Sequence, residues 1–155
     1  MTTVSSDKIN SNIWKNFRDL IKNNVISVTI QGSTGADTKT VLIQDVLNSY
    51  PDEVKGTSSS YPIIIVNSPT KRTNSLTYRN KLVPGSIVIE VFAVQKEAID
   101  KIMDKINDVV LDNESVLNTA GIENINIMDE DSSPDILNGM KVHRGMVNWG
   151  FEYLI

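Results

Sequence analysis

Residues 86–94, Ser-Ile-Val-Ile-Glu-Val-Phe-Ala-Val, and residues 140–154, Met-Lys-Val-His-Arg-Gly-Met-Val-Asn-Trp-Gly-Phe-Glu-Tyr-Leu, decide the fold. Both stretches alternate between two faces and are rich in β-branched and aromatic residues, which is typical of strands. The apolar face of the second stretch is formed by Val147, Trp149, Phe151 and Tyr153. An exposed aromatic platform for stacking bases is a second interpretation of this face. We favour a face that seals a hydrophobic core, because the alternation continues back through Val147.

A helix is predicted between these two strands, from Gln95 to Leu111, because apolar residues recur there every three or four positions. These residues are Ile99, Ile102, Met103, Ile106, Val109 and Val110. Beyond the helix, we predict a short turn or an extra helical turn between Asp112 and Gly121. A strand from Glu123 to Met128, alternating around Ile125 and Ile127, and an acidic loop over 129–139 complete the block.

The N-terminal half contains a predicted helix from Asp7 to Asn23, whose apolar residues form one stripe. A half-buried strand from Val25 to Gln31 follows, with Ile26, Val28 and Ile30 predicted to share a face. The stretch from Thr38 to Leu47 favours a strand, although its spacing also permits a short helix. The continuous apolar run from Tyr61 to Val66 predicts a strand that is covered on both faces.

The length of 155 residues predicts a single domain. Its fold class is α+β, with an antiparallel or mixed β-sheet and two main helices, N-terminal and central, packed on one face. Flexible loops are predicted near 32–38, 49–60, 68–84 and 129–139, where the chain is polar and carries turn-forming residues.

Charge and composition exclude several classes of function. The chain has no cysteine, so it forms neither disulfides nor thiolate metal sites. Its net charge of -4 argues against specific nucleic-acid binding, which requires a basic surface. No apolar run approaches the length of a membrane helix. The N-terminal residues lack the pattern of a signal peptide, so we expect the protein to stay in the compartment where it is made.

A basic cluster lies in the predicted 68–84 loop and consists of Lys71, Arg72, Arg79 and Lys81, with Tyr78 between them. These side chains could contact phosphates or dock on an acidic protein surface. A solvated loop is an equally good interpretation, so a role in partner contact stays open here.

Catalytic and metal chemistry find little support in the sequence. Asp129, Glu130 and Asp131, with Asp135 nearby, could bind a hard cation, but the ligand spacing of a calcium loop is missing and a solvated turn is favoured. The lone histidine, His143, is interpreted as an ordinary sheet residue. No nucleophile elbow, phosphate-binding loop or zinc-protease motif is present. We therefore predict no enzyme activity, no cofactor and no metal.

Four stretches of the chain resemble one family of viral proteins. They are Tyr61-Pro-Ile-Ile-Ile-Val66, the strand 85–94 that leads into the central helix, the junction 135–144 ending Asn-Gly-Met-Lys-Val-His-Arg, and the closing Met146-Val-Asn-Trp-Gly-Phe-Glu-Tyr153. The chain resembles the tail terminator, or tail-completion, proteins of long-tailed bacteriophages. The predicted N-terminal helix also fits the family in position.

This resemblance implies a structural role in the virion. Such a protein forms a ring, typically a homo-hexamer, at the head-proximal end of the tail. The ring ends polymerisation of the tail-tube protein and offers its other face to the head-completion or connector protein, with DNA passing through. The implied location is the head–tail junction, and the host cytoplasm during assembly. Sheet edges and the 68–84 loop are the expected contact surfaces.

Other functions remain as alternatives. The chain could be a different neck or minor tail component, or a small ligand-binding or regulatory α+β domain with an apolar pocket. An enzyme centred on His143 with Asp129, Asp131 or Asp135 is the least favoured hypothesis.

Overall fold

The computed structural model describes residues 9–31, 38–48, 61–71, 82–137 and 140–154, and the account of the fold covers these residues. The N-terminal part consists of α1 (Ile9–Asn24), β1 (Ser27–Gln31), β2 (Thr38–Leu42), β3 (Asp45–Leu47) and β4 (Ile63–Val66). The C-terminal part consists of β5 (Thr70–Lys71), β6 (Leu82–Ala93), α2 (Lys96–Asp112), α3 (Glu114–Thr119), β7 (Ile122–Leu137) and β8 (Met140–Leu154). The predicted α+β class is confirmed.

The strands form two sheets. In the main sheet the order is β3-β4-β6-β8-β7, and β5 pairs with β6 beside β4. The β3–β4 pair is parallel and the other pairs are antiparallel, so the sheet is mixed. β1 and β2 form a separate antiparallel pair. Within the main sheet, β7 lies at one edge and the short β3 at the other.

One face of the main sheet is covered by the two long helices. Phe17 of α1 lies against Phe151 of β8, with ring centroids 5.8 Å apart. The indole of Trp14 donates a hydrogen bond to the carbonyl of Val66, which ties α1 to β4. The buried residues of α1 and α2 that enter this core are Ile13, Phe17, Leu20, Ile21, Ala98, Ile99, Ile102, Met103, Ile106 and Val110. Helical spacing therefore places two apolar stripes on the same sheet face, as predicted.

The opposite face of the sheet carries a smaller apolar cluster near β4. It consists of Tyr61, Ile63, Ile65, Phe92 and Val142. All four residues of β4 are buried, because Ile64 and Val66 enter the main core while Ile63 and Ile65 enter this cluster. The predicted strand with two covered faces is confirmed.

Several boundaries differ from the sequence-based predictions. The stretch from Thr38 to Leu47 forms two strands separated by Ile43 and Gln44, and Thr38 belongs to β2 rather than to the predicted 32–38 loop. Ile26 precedes β1 and is 59% exposed, so it does not share the buried face of Val28 and Ile30. The remainder of the first predicted loop, 32–37, and the whole of 49–60 lie outside the described residues.

The predicted 68–84 loop is partly wrong. Thr70 and Lys71 pair with Ser86 and Gly85 of β6, and Leu82 to Pro84 begin β6 itself, paired with the end of β8. The mainly polar sequence predicted no strand there. These residues form strands because they pair with neighbouring strands. Residues 72–81 lie outside the described part of the chain.

The predicted acidic loop over 129–139 is wrong from Asp129 to Leu137. These residues continue β7 and pair in register with β8, up to Leu137 opposite Met140. Ile127 is also less buried than its predicted alternation with Ile125 suggests, at 39% exposure. Register irregularities on either side of Asn126 and Ile127 shift the alternation there, and Asn124 has a positive φ of 51°.

Candidate functional site

The residues of the predicted core-sealing face lie inside the molecule. Val147 and Trp149 are fully buried, and Phe151 and Tyr153 are 3% and 1% exposed. They face the helices, since Phe151 contacts Phe17. These aromatic rings therefore offer no surface on which bases could stack.

Of the predicted basic cluster, the structure describes Lys71 alone, as the second residue of β5 opposite Gly85. The other members, Arg72, Tyr78, Arg79 and Lys81, lie outside the described residues. Their predicted role in partner contact stays a prediction.

The most distinctive surface of the described chain is the outer edge of β7. β8 pairs with one side of β7, and among the described residues no strand pairs with the other side. Residues 126–134 are all exposed along this edge. An edge of this kind presents unpaired backbone N–H and C=O groups, which can bind an added strand.

The edge strand is strongly acidic. Register places Glu130 opposite Val147 on the helix side, where the Asn107 side chain of α2 donates a hydrogen bond to its carboxylate. Asp129 and Asp131 pair with Asn148 and Met146, so they lie on the other face. Carboxylates therefore project from both faces of the edge strand.

A cleft separates the middle of β7 from α2. It has a volume of about 550 Å³ and is lined by Asp100, Met103, Asp104, Glu130, Asp131 and Ser132. Asp100 and Asp104 of α2 and Glu130 on the helix side of β7 are carboxylates, so the cleft favours positively charged groups. No three Asp, Glu or His side chains converge to hold a metal ion within the described ranges.

His143 of the enzyme hypothesis is not brought together with Asp129 or Asp131. His143 pairs with Pro134 and lies on the helix side of the hairpin, beside Lys96 and Ile99. Asp129 and Asp131 project from the opposite face, because they pair with even-numbered residues of β8. The histidine and these two carboxylates therefore cannot share one site.

An ion pair lies on the sheet face that the helices leave free. Arg144 Nε is 2.6 Å from Glu90 Oε2, and the Asn67 amide donates to Glu90 Oε1 at 2.8 Å. Residues from β8, β6 and the end of β4 are joined by these contacts. These contacts fix the register of three strands, since each charged group has a defined partner.

The strand edge at 129–137 was missed from sequence, although one signal was present. Asn138-Gly139 is the residue pair most typical of two-residue hairpins. The strands end at Leu137 and begin at Met140, so these two residues are the whole connection. If this pair is given more weight than the acidic composition, both strands are predicted to extend as far as the pair.

No protein-family model matches the chain, and no curated protein is similar to it. None of the helices in the described ranges is both long enough and apolar enough to cross a membrane.

Proposed function

We propose that this chain is a structural assembly protein that forms a ring at the head-proximal end of a phage tail. In this role, the ring ends polymerisation of the tail-tube protein and binds the head-completion or connector protein on its other face. It acts at the head–tail junction of the virion, after assembly in the host cytoplasm. The sequence resemblance to tail terminator proteins suggests this role, and the exposed edge of β7 is the observation that carries it.

The edge supports assembly because a monomer leaves it unsatisfied. Long unpaired edge strands promote aggregation unless charges or proline restrict what can pair with them. β7 carries Asp129, Glu130, Asp131 and Pro134 along its exposed stretch. These residues limit indiscriminate pairing while leaving the edge open to a complementary partner. In a closed ring, each copy can cover the edge of its neighbour.

The remaining surface also fits a structural protein. The helices cover one face of the sheet, and the free face carries the Glu90–Arg144 ion pair with Asn67 beside it. The clefts beside α2, one against β7 and one against β1, are open and lined mostly by charged and polar side chains. A ligand-binding domain typically has an enclosed apolar pocket with a few convergent polar groups. The geometry thus favours the assembly role over the small-ligand alternative.

The test is the size and shape of the protein in solution and on tail tubes. Sedimentation velocity and negative-stain electron microscopy should give a discrete closed ring, either alone or at one end of polymerised tail-tube protein. A ring bound along the sides of tubes, or a chain that remains monomeric with tubes present, would exclude the proposed role.

A further inference from the structure

We propose that the outer edge of β7 and the cleft beside α2 dock the basic 71–81 segment of a second copy of this chain. This inference rests on the proposed function, and it names the contact that joins neighbouring copies in the ring. It is a head-to-tail contact, since the docking edge and the docked segment are different parts of the chain.

The docking surface is strongly acidic. Asp129, Glu130 and Asp131 lie on the edge strand, and Asp100 and Asp104 face it across the cleft. Within the described ranges, none of these five carboxylates takes part in an ion pair. Their mutual repulsion is relieved when cations enter the cleft.

The occupant is identified by charge and backbone chemistry. Residues 68–84 contain Lys71, Arg72, Arg79 and Lys81 and no acidic residue. An extended segment from this stretch can add to the free edge of β7 through backbone hydrogen bonds. Its basic side chains then meet carboxylates on both faces of the strand. Leu76 and Tyr78 supply apolar contact area for Ile127 and Met128, which are 39% and 48% exposed on β7.

Chain length keeps the basic side chains away from Asp131 within one copy. The segment rejoins the sheet at Leu82, whereas Asp131 is aligned through Met146 with Glu90, further along β6. At about 3.3 Å per residue along β6 and about 4.8 Å per strand, Leu82 and Asp131 are roughly 28 Å apart. The backbone from Leu82 to Arg79 spans at most about 10 Å, and the arginine side chain adds roughly two residue lengths more. Arg79 therefore falls short of Asp131 in its own copy.

The other end of the segment is also too far away. Lys71 lies opposite Gly85 on the β4 side of β6, so three strand spacings separate it from β7. Together with the offset along the strands, its distance to Asp131 is roughly 22 Å. Arg72, one residue beyond Lys71, cannot bridge this distance. Neither end of the segment can bring a basic side chain to Asp131 of its own copy.

The absence of cysteine in the chain makes a direct test possible. Ser132→Cys is placed on the edge and Asn80→Cys between Arg79 and Lys81, and neither substitution alters a charge. The two single variants carry tags of different mass and are mixed and treated with a short bismaleimide. We expect a heterodimeric product, at a yield at least about tenfold above that of Asn80→Cys mixed with Ser115→Cys, because exposed Ser115 lies on α3, outside the exposed stretch 126–134.

A matched pair of charge variants tests the acidic edge. Asp129→Asn, Glu130→Gln and Asp131→Asn, introduced together into the Ser132→Cys chain, should lower the heterodimer yield about tenfold, as should molar salt. Asp108→Asn, Asp112→Asn and Glu114→Gln change the net charge equally but lie outside the cleft. This control triple should leave the yield unchanged.

The outcomes separate the docking contact from the ring. Rings without heterodimer above the control overturn the docking contact and leave the ring intact. Heterodimer without rings supports the contact and overturns the ring. A double variant, Asn80→Cys with Ser132→Cys, that links only within its own chain overturns docking between copies. If neither a cross-linked product nor a ring is found, both proposals are overturned.

Discussion

α2 packs closely on the sheet at Gly145. A Cβ atom at this position would lie 2.8 Å from Ile99 Cγ2 and would also overlap the sulfur of Met103, both buried in the core. Gly145→Ala should therefore destabilise the fold by roughly 1–3 kcal/mol, the usual cost of overpacking. Urea denaturation followed by circular dichroism measures the change.

Gly150 provides the matched control on the same strand. A Cβ atom there would lie 2.6 Å from Met128 Sδ, but Met128 is a flexible side chain that is 48% exposed and can turn away. Alanine also loses less backbone entropy than glycine in a strand. Gly150→Ala should change the stability by less than about 1 kcal/mol. Equal losses in the two variants would contradict the proposed packing of α2 on Gly145.

At the scale of elements, the sequence predicted the helices and strands that bury one face. α2 and β8 were recognisable because burial forces a regular spacing of apolar residues, as in Ile99, Ile102 and Ile106 or Val147, Trp149 and Phe151. The outer half of β7 is exposed on both faces, so nothing forces its side chains to alternate. Its Asp, Ser and Pro residues are typical of a loop. This segment forms a strand only because it pairs with β8.

The candidate site was only partly predictable for the same reason. The basic cluster can be recognised from the composition of the sequence and from its position in a predicted loop. The acidic edge depends on long-range register, such as Asp131 opposite Met146, and on the position of α2 across the cleft. Neither relation follows from local sequence patterns, because both are set by how the hairpin and helix pack on the core.

Hydrogen exchange can distinguish a strand at 129–137 from the predicted loop. In an antiparallel edge strand, amides that face the partner are hydrogen-bonded and the intervening amides face solvent. In the monomeric chain, whose β7 edge is not covered by a second copy, we expect exchange along 129–136 to alternate with a period of two residues, as measured by NMR. The amides in the middle of α2 should be protected without alternation and serve as the internal reference. Uniformly fast exchange from Asp129 to Leu137 would contradict the pairing with β8.

At the scale of the whole molecule, one continuous core joins the described elements. α1, the β1–β2 pair, α2 and the central strands all contribute side chains to the same buried cluster. Such connectivity makes partial unfolding costly, because removing any one element exposes apolar surface of the others. We therefore expect the chain to unfold as a single cooperative unit, which agrees with the prediction of one domain.

The two tryptophans report on two different elements of this core, α1 and β8. Trp149 is fully buried in the centre of the sheet, while Trp14 lies on α1 and bonds to Val66. In a Trp14→Phe variant the fluorescence comes from Trp149 alone, and in a Trp149→Phe variant it comes from Trp14 alone. Within each variant, the urea midpoint from fluorescence should coincide with that from far-ultraviolet circular dichroism, because two-state unfolding gives the same transition by every probe. The substitutions shift the midpoint of each variant as a whole, so only the agreement between probes is diagnostic. A fluorescence midpoint of Trp14 well below the dichroism midpoint would show that α1 leaves the sheet first, and the single-unit interpretation would then be wrong.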